Sequence, residues 1–312
     1  MSTSNSRPLS ANEAAALTRR VTTLSVATAI TLVLAKGGAW LASGSVAMLA
    51  SLADSGLDLL ASLVTLFAVR YAIAPPDAEH RFGHGKAEAF ASLMQGGLVF
   101  ASAALVGREA VAGLLDPRPV SAGGWAMVVM VLSILLTLAL ITAQSRVLKL
   151  TNSVAVSGDR AHYAADLASN LVALAGIAGA ALFGLAWLDG AAGLAVAFWL
   201  VWGAIGVFRE AASQLMDREL PEDSREQIIA LMTQDSRIKG VHQLRTRASG
   251  PYVHVQMHAD LDPDISLAEA HDAMVAAEKR VLEAFPAADI IVHPDPRGRA
   301  EPHGGAFAEI SH

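Results

Sequence analysis

The chain has 312 residues, of which 53% are hydrophobic and only 17% are charged, and its formal net charge is −6. Soluble domains usually carry about 25% charged residues, and the deficit in this chain falls almost entirely before residue 210. The acidic balance, without a basic aromatic patch, argues against a nucleic-acid partner. Because the sequence contains no cysteine, disulfides and thiolate metal sites are excluded, and any metal must be held by histidine nitrogen and carboxylate oxygen.

Residues 1–18 are polar and rich in serine, and we predict that they form a disordered tail. Six apolar segments follow, and each is long enough to cross a bilayer, which takes about 20 residues. They cover residues 21–42, 46–70, 89–113, 122–145, 154–182 and 187–208. The first is too long for the core of a signal peptide, so it is interpreted as a retained span. The pattern predicts a six-helix transmembrane bundle over residues 19–210.

Lysine and arginine gather at one set of segment ends, which should therefore face the cytoplasm. These residues are Arg19, Arg20, Arg70, Arg81, Lys86, Arg146, Lys149, Arg160 and Arg209. Only Arg108 and Arg118 fall near the opposite ends. The bias predicts that both termini are cytoplasmic.

Charges and histidines become dense after residue 210, which indicates a separate soluble domain over residues 211–296. Apolar periodicity predicts a helix from Pro221 to about residue 234, alternating strands over 241–247 and 252–261, a helix over 266–285 and a short strand over 288–293. The order α-β-β-α-β is typical of a small α+β sandwich with one open sheet face. Residues 297–312 are rich in proline, glycine and charge, and are predicted to be disordered.

Two pairs of polar side chains interrupt the apolar segments. Asp54 and Asp58 lie four residues apart in the second segment, and His162 and Asp166 are four apart in the fifth. This spacing puts each pair on one face of a helix, and a carboxylate inside a membrane helix costs about 3 kcal/mol. A polar helix contact or an ion pair with Lys36 is the structural alternative. Two matching pairs instead predict a tetrahedral site for a divalent transition ion such as zinc.

Further polar residues flank these pairs. Asp159 lies one helical turn before His162 and is interpreted as a charge in the cytoplasmic vestibule rather than as a direct ligand. The loop after the second segment holds Asp77, His80 and His84, whose spacing would let one helical turn present all three. Taken alone, a histidine-rich loop of this kind is more often just a solvated surface.

Three motifs carry a resemblance to a known family: ADSGLD at 53–58, HRFGHGKAE at 80–88 and HYAAD at 162–166. They and their spacing resemble the cation diffusion facilitator family, most closely its bacterial zinc and iron efflux branch, and the likeness extends over residues 19–296. Members of that family are homodimeric, proton-coupled exporters in the lipid bilayer with a cytoplasmic metallochaperone-like domain. The resemblance implies a secondary active transporter of the cell inner membrane, not an enzyme, that exports zinc and also cadmium or iron.

The resemblance also assigns roles to particular residues. The expected transport site consists of Asp54, Asp58, His162 and Asp166. Within it, His162 is the expected proton carrier, because histidine titrates near neutral pH. Asp77, His80 and His84 correspond to a second, more exposed metal site. Lys86, which could otherwise be a cation at the membrane surface, is expected to form a salt bridge with Asp217 between the two domains.

A third metal site is implied in the soluble domain, as a two-metal regulatory cluster. Its expected ligands are His242, His258, His271, His293 and Asp295. His254 has no counterpart in the family and is given a surface role. Zinc bound at this cluster would draw the two soluble domains of a homodimer together and bias the transport cycle.

Two alternatives stay open. The same transporter could carry iron, manganese or cobalt as its main substrate, because affinity trends among divalent metals limit selectivity by geometry. The chain could instead be a membrane-anchored metal sensor or scaffold, although an intact set of four intramembrane ligands argues against a silent pore. Hydrolysis at an intramembrane zinc is disfavoured, because four protein ligands leave no open position for water.

Overall fold

The computed structural model describes residues 9–43, 46–115, 124–183 and 187–299. The chain divides into two compact units, one formed by Ala15–Ser213 and the other by Met1–Ala14 with Gln214–His312. The predicted boundary after residue 210 therefore falls inside the last long helix. Most of the predicted disordered tails, residues 1–8 and 300–312, lies outside the described residues.

Six long helices form the first unit. They are α1 (Ala11–Ser43), α2 (Val46–Ala72), α3 (Ala87–Leu115), α4 (Gly124–Thr151), α5 (Val154–Phe183) and α6 (Trp187–Leu215). Each predicted apolar segment corresponds to one of them. Among the described residues, α1, α2, α3, α4 and α6 contain stretches long and apolar enough to span a membrane, and α5 carries the polar residues of the fifth segment. The predicted helical bundle is confirmed.

Helix α1 begins at Ala11, so the prediction of disorder is wrong for residues 11–18. The cause is a capping box at the start of the helix. Ser10 Oγ accepts a hydrogen bond from the backbone N–H of Glu13 at 3.3 Å, and Glu13 Oε2 accepts one from the backbone N–H of Ser10 at 2.8 Å. These bonds satisfy N–H groups that have no partner inside the helix. A serine followed three residues later by a glutamate was the sequence signal for this start.

Small residues allow close approach of the helices. A Cβ atom placed on Gly158 of α5 would lie 3.0 Å from the Cα of Ser92 and 3.1 Å from the Cβ of Gln95, both on α3. On α6, a Cβ atom at Gly193 would lie 2.9 Å from the Cβ of Ala110. Such contacts are usual where membrane helices pack.

The membrane unit is apolar on the outside and polar inside. Large side chains such as Phe67 and Trp202 are exposed, whereas Ser62, Gln95 and Gln144 are fully buried. An apolar exterior of this kind would be unfavourable in water but suits contact with lipid. The interior consequently holds most of the groups that can do chemistry.

The soluble unit has the predicted order α-β-β-α-β. Its elements are α7 (Glu222–Met232), β1 (Ile238–Ser249), β2 (Tyr252–Leu261), α8 (Leu267–Ala284) and β3 (Ala288–Pro296). The strands form one sheet in the order β1-β2-β3, with β1 antiparallel and β3 parallel to β2. The predicted α+β class is confirmed, and β2 has the predicted limits.

Both helices of this unit pack against one face of the sheet. Ile228 of α7 and Val281 of α8 meet Val255, Met257 and Ala259 of β2 in a single core cluster. These three strand residues alternate along β2, so the residues between them face the other side. The second face of the sheet is therefore left for polar groups, and His258 lies on it.

Candidate metal centres

The membrane unit contains a cluster of potential metal ligands, named here the membrane cluster: Asp58 of α2 with His162 and Asp166 of α5. His162 Nε2 lies 3.1 Å from Asp58 Oδ1 and 3.8 Å from Asp166 Oδ2. One potential ligand atom from each residue lies within 4.8 Å of the other two. Asp58 and His162 are buried, and Asp166 is partly buried. The structure therefore brings three of the four predicted transport residues together.

Two polar atoms of the membrane cluster lack a hydrogen-bond partner among the described residues. These are His162 Nδ1 and Asp166 Oδ2, and both are inaccessible to solvent. A buried polar atom without a partner typically costs about 1–3 kcal/mol. The described residues also place no lysine or arginine within 4.0 Å of these carboxylates. The cluster therefore has capacity to accept positive charge, as a cation or as protons.

Asp54 lies one helical turn before Asp58 but is exposed, and it is not part of the membrane cluster. The alternative ion pair with Lys36 is not found in the described part of the chain. Lys36 Nζ instead donates hydrogen bonds to Ser55 Oγ at 2.6 Å and to the carbonyl oxygen of Ser51 at 3.2 Å. Asp54 lies on the same face of α2 as Asp58 but outside the membrane cluster, so its role as a ligand stays a prediction.

Asp159 is fully buried, so its interpretation as a vestibule charge is wrong. Gln95 Nε2 donates to its Oδ1 at 3.2 Å, and Gln144 Nε2 donates to its Oδ2 at 2.8 Å. These hydrogen bonds offset the desolvation of the carboxylate. The reason for the burial is the close packing at Gly158, which lets α3 cover this turn of α5. Sequence reasoning missed both glutamines, whose signal was an amide inside an apolar segment.

Tyr163 extends this buried polar layer to the first two helices. Its hydroxyl lies 2.8 Å from Ser62 Oγ on α2 and donates to the carbonyl oxygen of Ser25 on α1 at 3.2 Å. Gln144 also donates to Ser25 Oγ at 3.2 Å. The layer therefore joins five helices directly beside the membrane cluster, and it holds the α5 segment that carries His162.

The loop between α2 and α3 brings together Asp77, His80 and His84, named here the loop cluster. His80 Nδ1 lies 3.2 Å from Asp77 Oδ1, and His84 Nε2 lies 3.2 Å from Asp77 Oδ2. The three predicted residues thus meet, but the prediction that one helical turn presents them is wrong. Pro75 and Pro76 prevent the helix from continuing, and the segment up to residue 86 consists of turns, bends and irregular backbone.

The loop cluster is held by backbone hydrogen bonds. Asp77 Oδ1 accepts from the backbone N–H of His80 at 2.6 Å and from that of Glu79 at 2.9 Å. The Asp77 carboxyl has a pKa below its usual range. The hydrogen bond from the backbone N–H of His80 is the main cause, and slight desolvation of the exposed carboxyl opposes it only in part. Gly83 has a φ of 77°, which favours glycine, and this turn returns His84 to Asp77.

The sheet aligns a third group, named here the soluble cluster: His242, His258, His293 and Asp295. His242 pairs with His258 across β1 and β2, and His258 pairs with His293 across β2 and β3. Asp295 lies between the three imidazoles. Its oxygens are 2.8 Å from His258 Nδ1, 3.3 Å from His242 Nε2 and 3.2 Å from His293 Nε2. Four of the five predicted ligands therefore lie together in one chain.

Electrostatics and backbone shape both favour this cluster. Burial would raise the pKa of Asp295, but the hydrogen bond with His258 and the nearby histidine charges outweigh it, so the pKa is lowered. The register shows one extra residue in β1 between His242 and Arg245. Gln243 in this bulge has a φ of 50°, a conformation that few residues other than glycine adopt. Bulges of this kind redirect side chains near functional sites.

The remaining predictions in the soluble unit have different outcomes. His271 is exposed on α8, on the helical side of the sheet, and does not join the soluble cluster within one chain. Asp260, which sequence reasoning missed, has its Oδ1 3.6 Å from His242 Nε2; its position two residues after His258 was the signal. The surface role for His254 is wrong, because this residue is buried with its Nδ1 3.2 Å from Asp289 Oδ2.

The predicted salt bridge between Lys86 and Asp217 would join the two units, and it stays a prediction. Within the soluble unit, Asp217 Oδ2 accepts a hydrogen bond from Arg247 Nη1 at 3.3 Å. Asp217 also has a positive φ of 56° at the turn that follows α6.

Comparisons with known proteins agree with this architecture. The family model for the cation efflux transmembrane domain matches residues 22–216, and the model for the cytoplasmic domain of cation efflux proteins matches residues 220–297. The cation-efflux pump FieF of Shewanella oneidensis is 43% identical over 272 residues, which cover 87% of this chain and 92% of the relative. FieF of Klebsiella pneumoniae is 38% identical, with 90% and 93% covered. FieF of Citrobacter koseri is 37% identical, with 85% and 88% covered.

Proposed function

Because this chain belongs to the cation efflux family, and is thus a multi-pass membrane transporter and not an enzyme, we propose that it exports divalent transition-metal ions from the cytoplasm in exchange for protons. Zinc is the first candidate substrate, followed by cadmium and iron. The observation that carries the proposal is the convergence of Asp58, His162 and Asp166 from two membrane helices into one buried cluster.

The donor set favours zinc. A tetrahedral zinc site with bonds of 2.0–2.2 Å places neighbouring ligand atoms about 3.3–3.6 Å apart. The separations of 3.1 and 3.8 Å around His162 Nε2 bracket that range, so these two pairs of ligand atoms need to move by only a few tenths of an ångström. An imidazole nitrogen suits zinc and iron, whereas manganese prefers oxygen ligands alone. Asp54, one turn away on the same face of α2, is the proposed fourth ligand.

Proton exchange follows from the same lone pairs. A metal ion binds the deprotonated imidazole and carboxylates, so binding expels protons, and protons on the far side displace the metal. His162 is the proposed carrier because imidazole titrates near neutral pH. Each proton that moves inward down the membrane potential supplies about 2.3 kcal/mol per 100 mV. This energy drives export of the cation.

The orientation proposed for this cycle places both termini and the loop cluster on the cytoplasmic side of the inner membrane. Arg19, Arg20 and Arg70 lie at the ends of α1 and α2 that would face the cytoplasm, and Arg146 and Lys149 lie at the corresponding end of α4. The loop cluster between α2 and α3 is then a second cytoplasmic metal site, exposed enough to take up ions before they enter the membrane unit.

We also propose that the soluble cluster holds regulatory zinc in a homodimer. Its donor set of three imidazoles and a carboxylate fits zinc, and the Nε2 atom of His242 is buried without a hydrogen bond from the described residues. Because α8 lies on the opposite face of the sheet, His271 can reach such a cluster only from the partner subunit. A metal shared in this way would draw the two soluble units together and bias the transport cycle.

The proposal is tested by zinc uptake into proteoliposomes that have an acidic lumen and an enclosed zinc-sensitive dye. We expect Asp58→Ala and His162→Ala each to lower the initial rate at least about 100-fold, because each removes a direct ligand. Glu109→Gln is the matched control: Glu109 is an exposed α3 carboxylate paired with Arg108 at 2.6 Å, and its loss should leave the rate unchanged. Undiminished uptake in both ligand variants would refute the assignment.

A further inference from the structure

Three arginines surround one cavity at an end of the membrane unit. Arg19 and Arg20 of α1 and Arg70 of α2, together with Thr23, line a cavity of about 270 Å³. Because α1 and α2 are consecutive antiparallel helices, the first turns of α1 and the last turn of α2 meet at the same end. The cavity lies far along both helices from the loop that joins them, and it contains none of the three candidate metal clusters.

No acidic residue neutralises these arginines within the described part of the chain. All three side chains are exposed, and none forms an ion pair or donates a side-chain hydrogen bond to a described residue. The lining also contains no carboxylate. Convergent guanidinium groups repel one another and leave many N–H donors available. Their planar, forked donors match the oxygens of a phosphate.

Apolar side chains continue from the cavity toward the middle of the membrane. Leu24 lies one turn beyond Arg20 on α1 and is 44% exposed, and Phe67 lies one turn before Arg70 on α2 and is 63% exposed. A ligand that filled this surface would have an anionic phosphate at one end and a hydrocarbon chain at the other. We propose that the cavity binds the phosphate headgroup of an anionic phospholipid, with an acyl chain lying against Leu24 and Phe67.

The general excess of cations on one side of a membrane protein does not account for this arrangement. Arg146 and Lys149 are also exposed cations near the end of a membrane helix, but both belong to α4 and neither lines this cavity. The cavity lined by Arg19, Arg20 and Arg70 differs because guanidinium groups from two helices converge there on one concave surface. Basic pockets between membrane helices are typical binding sites for anionic headgroups.

The test uses the purified full-length protein in mixed micelles and counts retained lipids by native mass spectrometry. Phosphatidylglycerol is the probe, and phosphatidylcholine is the neutral comparison. We expect the wild type to retain phosphatidylglycerol preferentially and Arg19→Gln/Arg70→Gln to bind it about 10–100-fold more weakly, since each lost guanidinium removes charge-assisted hydrogen bonds. Arg19→Lys/Arg70→Lys, which keeps the charge without the fork, should bind with intermediate affinity.

The control variant is Arg146→Gln/Lys149→Gln, which removes two cations outside the cavity and should retain phosphatidylglycerol like the wild type. If this control loses as much bound phosphatidylglycerol as Arg19→Gln/Arg70→Gln, the binding depends only on the total positive charge and the proposal is overturned. Unchanged retention in Arg19→Gln/Arg70→Gln would overturn it directly. Inorganic phosphate provides the last arm: if it competes at the same concentration as phosphatidylglycerol, the acyl chain adds nothing to binding and the assignment to a lipid is wrong.

Discussion

The membrane cluster and the soluble cluster contain the same kinds of donor atom, but they hold them in different ways. In the membrane cluster, Asp58 comes from α2 and the other two residues come from α5, so the cluster exists only while two helices stay in one relative position. In the soluble cluster, the three histidines stand side by side on strands whose register is set by backbone hydrogen bonds. The first arrangement can open by helix movement, and the second cannot open without breaking a sheet.

The two clusters also differ in how completely their polar atoms are hydrogen-bonded. Asp166 Oδ2 and His162 Nδ1 in the membrane cluster have no partner among the described residues, whereas Asp295 lies within 3.3 Å of three histidines. Unsatisfied groups gain more from each arriving cation or proton. The comparison therefore separates a site suited to exchange from a site suited to retention.

The largest expected effect is a difference in flux between the two clusters. Asp166→Ala should lower zinc flux in proteoliposomes at least about 100-fold, because the proposed exchange site then lacks one of its ligands. His258→Ala should lower it only about 5-fold, because a regulatory metal acts through a coupling between sites. Equal loss of flux in the two variants would erase the distinction between exchange and retention.

The next effect concerns the buried polar layer beside the membrane cluster. Asp159→Ala should destabilise the protein by about 1–3 kcal/mol, because Gln95 and Gln144 lose a buried acceptor. Chemical unfolding in detergent measures the change in free energy. Glu210→Ala is the control, since Glu210 is an exposed carboxylate that accepts one hydrogen bond from Ser157. If both variants lose the same stability, the burial of Asp159 has no energetic role.

A similar loss is expected where α3 and α5 approach most closely. Gly158→Ala brings a methyl group to about 3.0 Å from the Cα of Ser92, and overpacking of this kind costs about 1–3 kcal/mol. Gly97→Ala is the matched control on α3, because a Cβ atom there meets nothing within 4 Å. Melting temperature should fall for the first and stay level or rise for the second. Zinc binding at the soluble cluster should be unchanged in both variants.

The smallest effect is expected for an ordinary surface charge pair in the soluble unit. Hydrogen bonds from Arg237 lower the pKa of Asp235 to about 2. The folded carboxyl thus has a lower pKa than the unfolded one, so the pair stabilises the fold above the unfolded value near 3.8 and loses this effect as the pH falls toward 2. At neutral pH, Asp235→Asn should cost about 0.2–1 kcal/mol.

Unfolding at neutral and acidic pH measures this pair, with Glu226→Gln as an exposed control that should change nothing. A cost that persists at the lowest pH would show that the pKa of Asp235 is not lowered by folding. A cost as large as that of Asp159→Ala would remove the contrast between a fully buried and a partly buried carboxylate.

The helices and the order of helices and strands along the chain were predictable from the sequence, because they follow from local periodicity. The meeting of Asp58 with His162 and Asp166 was predicted from two matching pairs of polar residues and from the family resemblance. The limits of β2 come from its alternating pattern, and the spacing of His162 and Asp166 places them on one helix face. The burial of Asp159 was not predictable, because it depends on how closely α3 packs at Gly158. The exposure of Asp54 likewise depends on how α2 is rotated against its neighbours, which no local pattern encodes.

For the loop cluster and the soluble cluster, too, some features were predictable from the sequence and others were not. The residues of the loop cluster were found, but their conformation was not, because it depends on the turn at Gly83 and on Asp77 accepting backbone hydrogen bonds. In the soluble cluster, His258 and His293 were predicted as ligands through the family resemblance, and their pairing across β2 and β3 was not predicted. The position of His271 on the opposite face follows from the packing of α8, which the sequence pattern alone does not specify.

The most direct test of the account is the number of protons released when the full-length protein binds zinc in weakly buffered detergent. An Asp77→Ala/His258→Ala background weakens the loop and soluble clusters, so that the signal comes mainly from the membrane cluster. We expect zinc to release protons in this background and the release to fall when His162→Ala is added, because the exchanged proton is then missing. Equal release with and without His162 would contradict exchange at the membrane cluster and would favour a metal sensor with a silent pore.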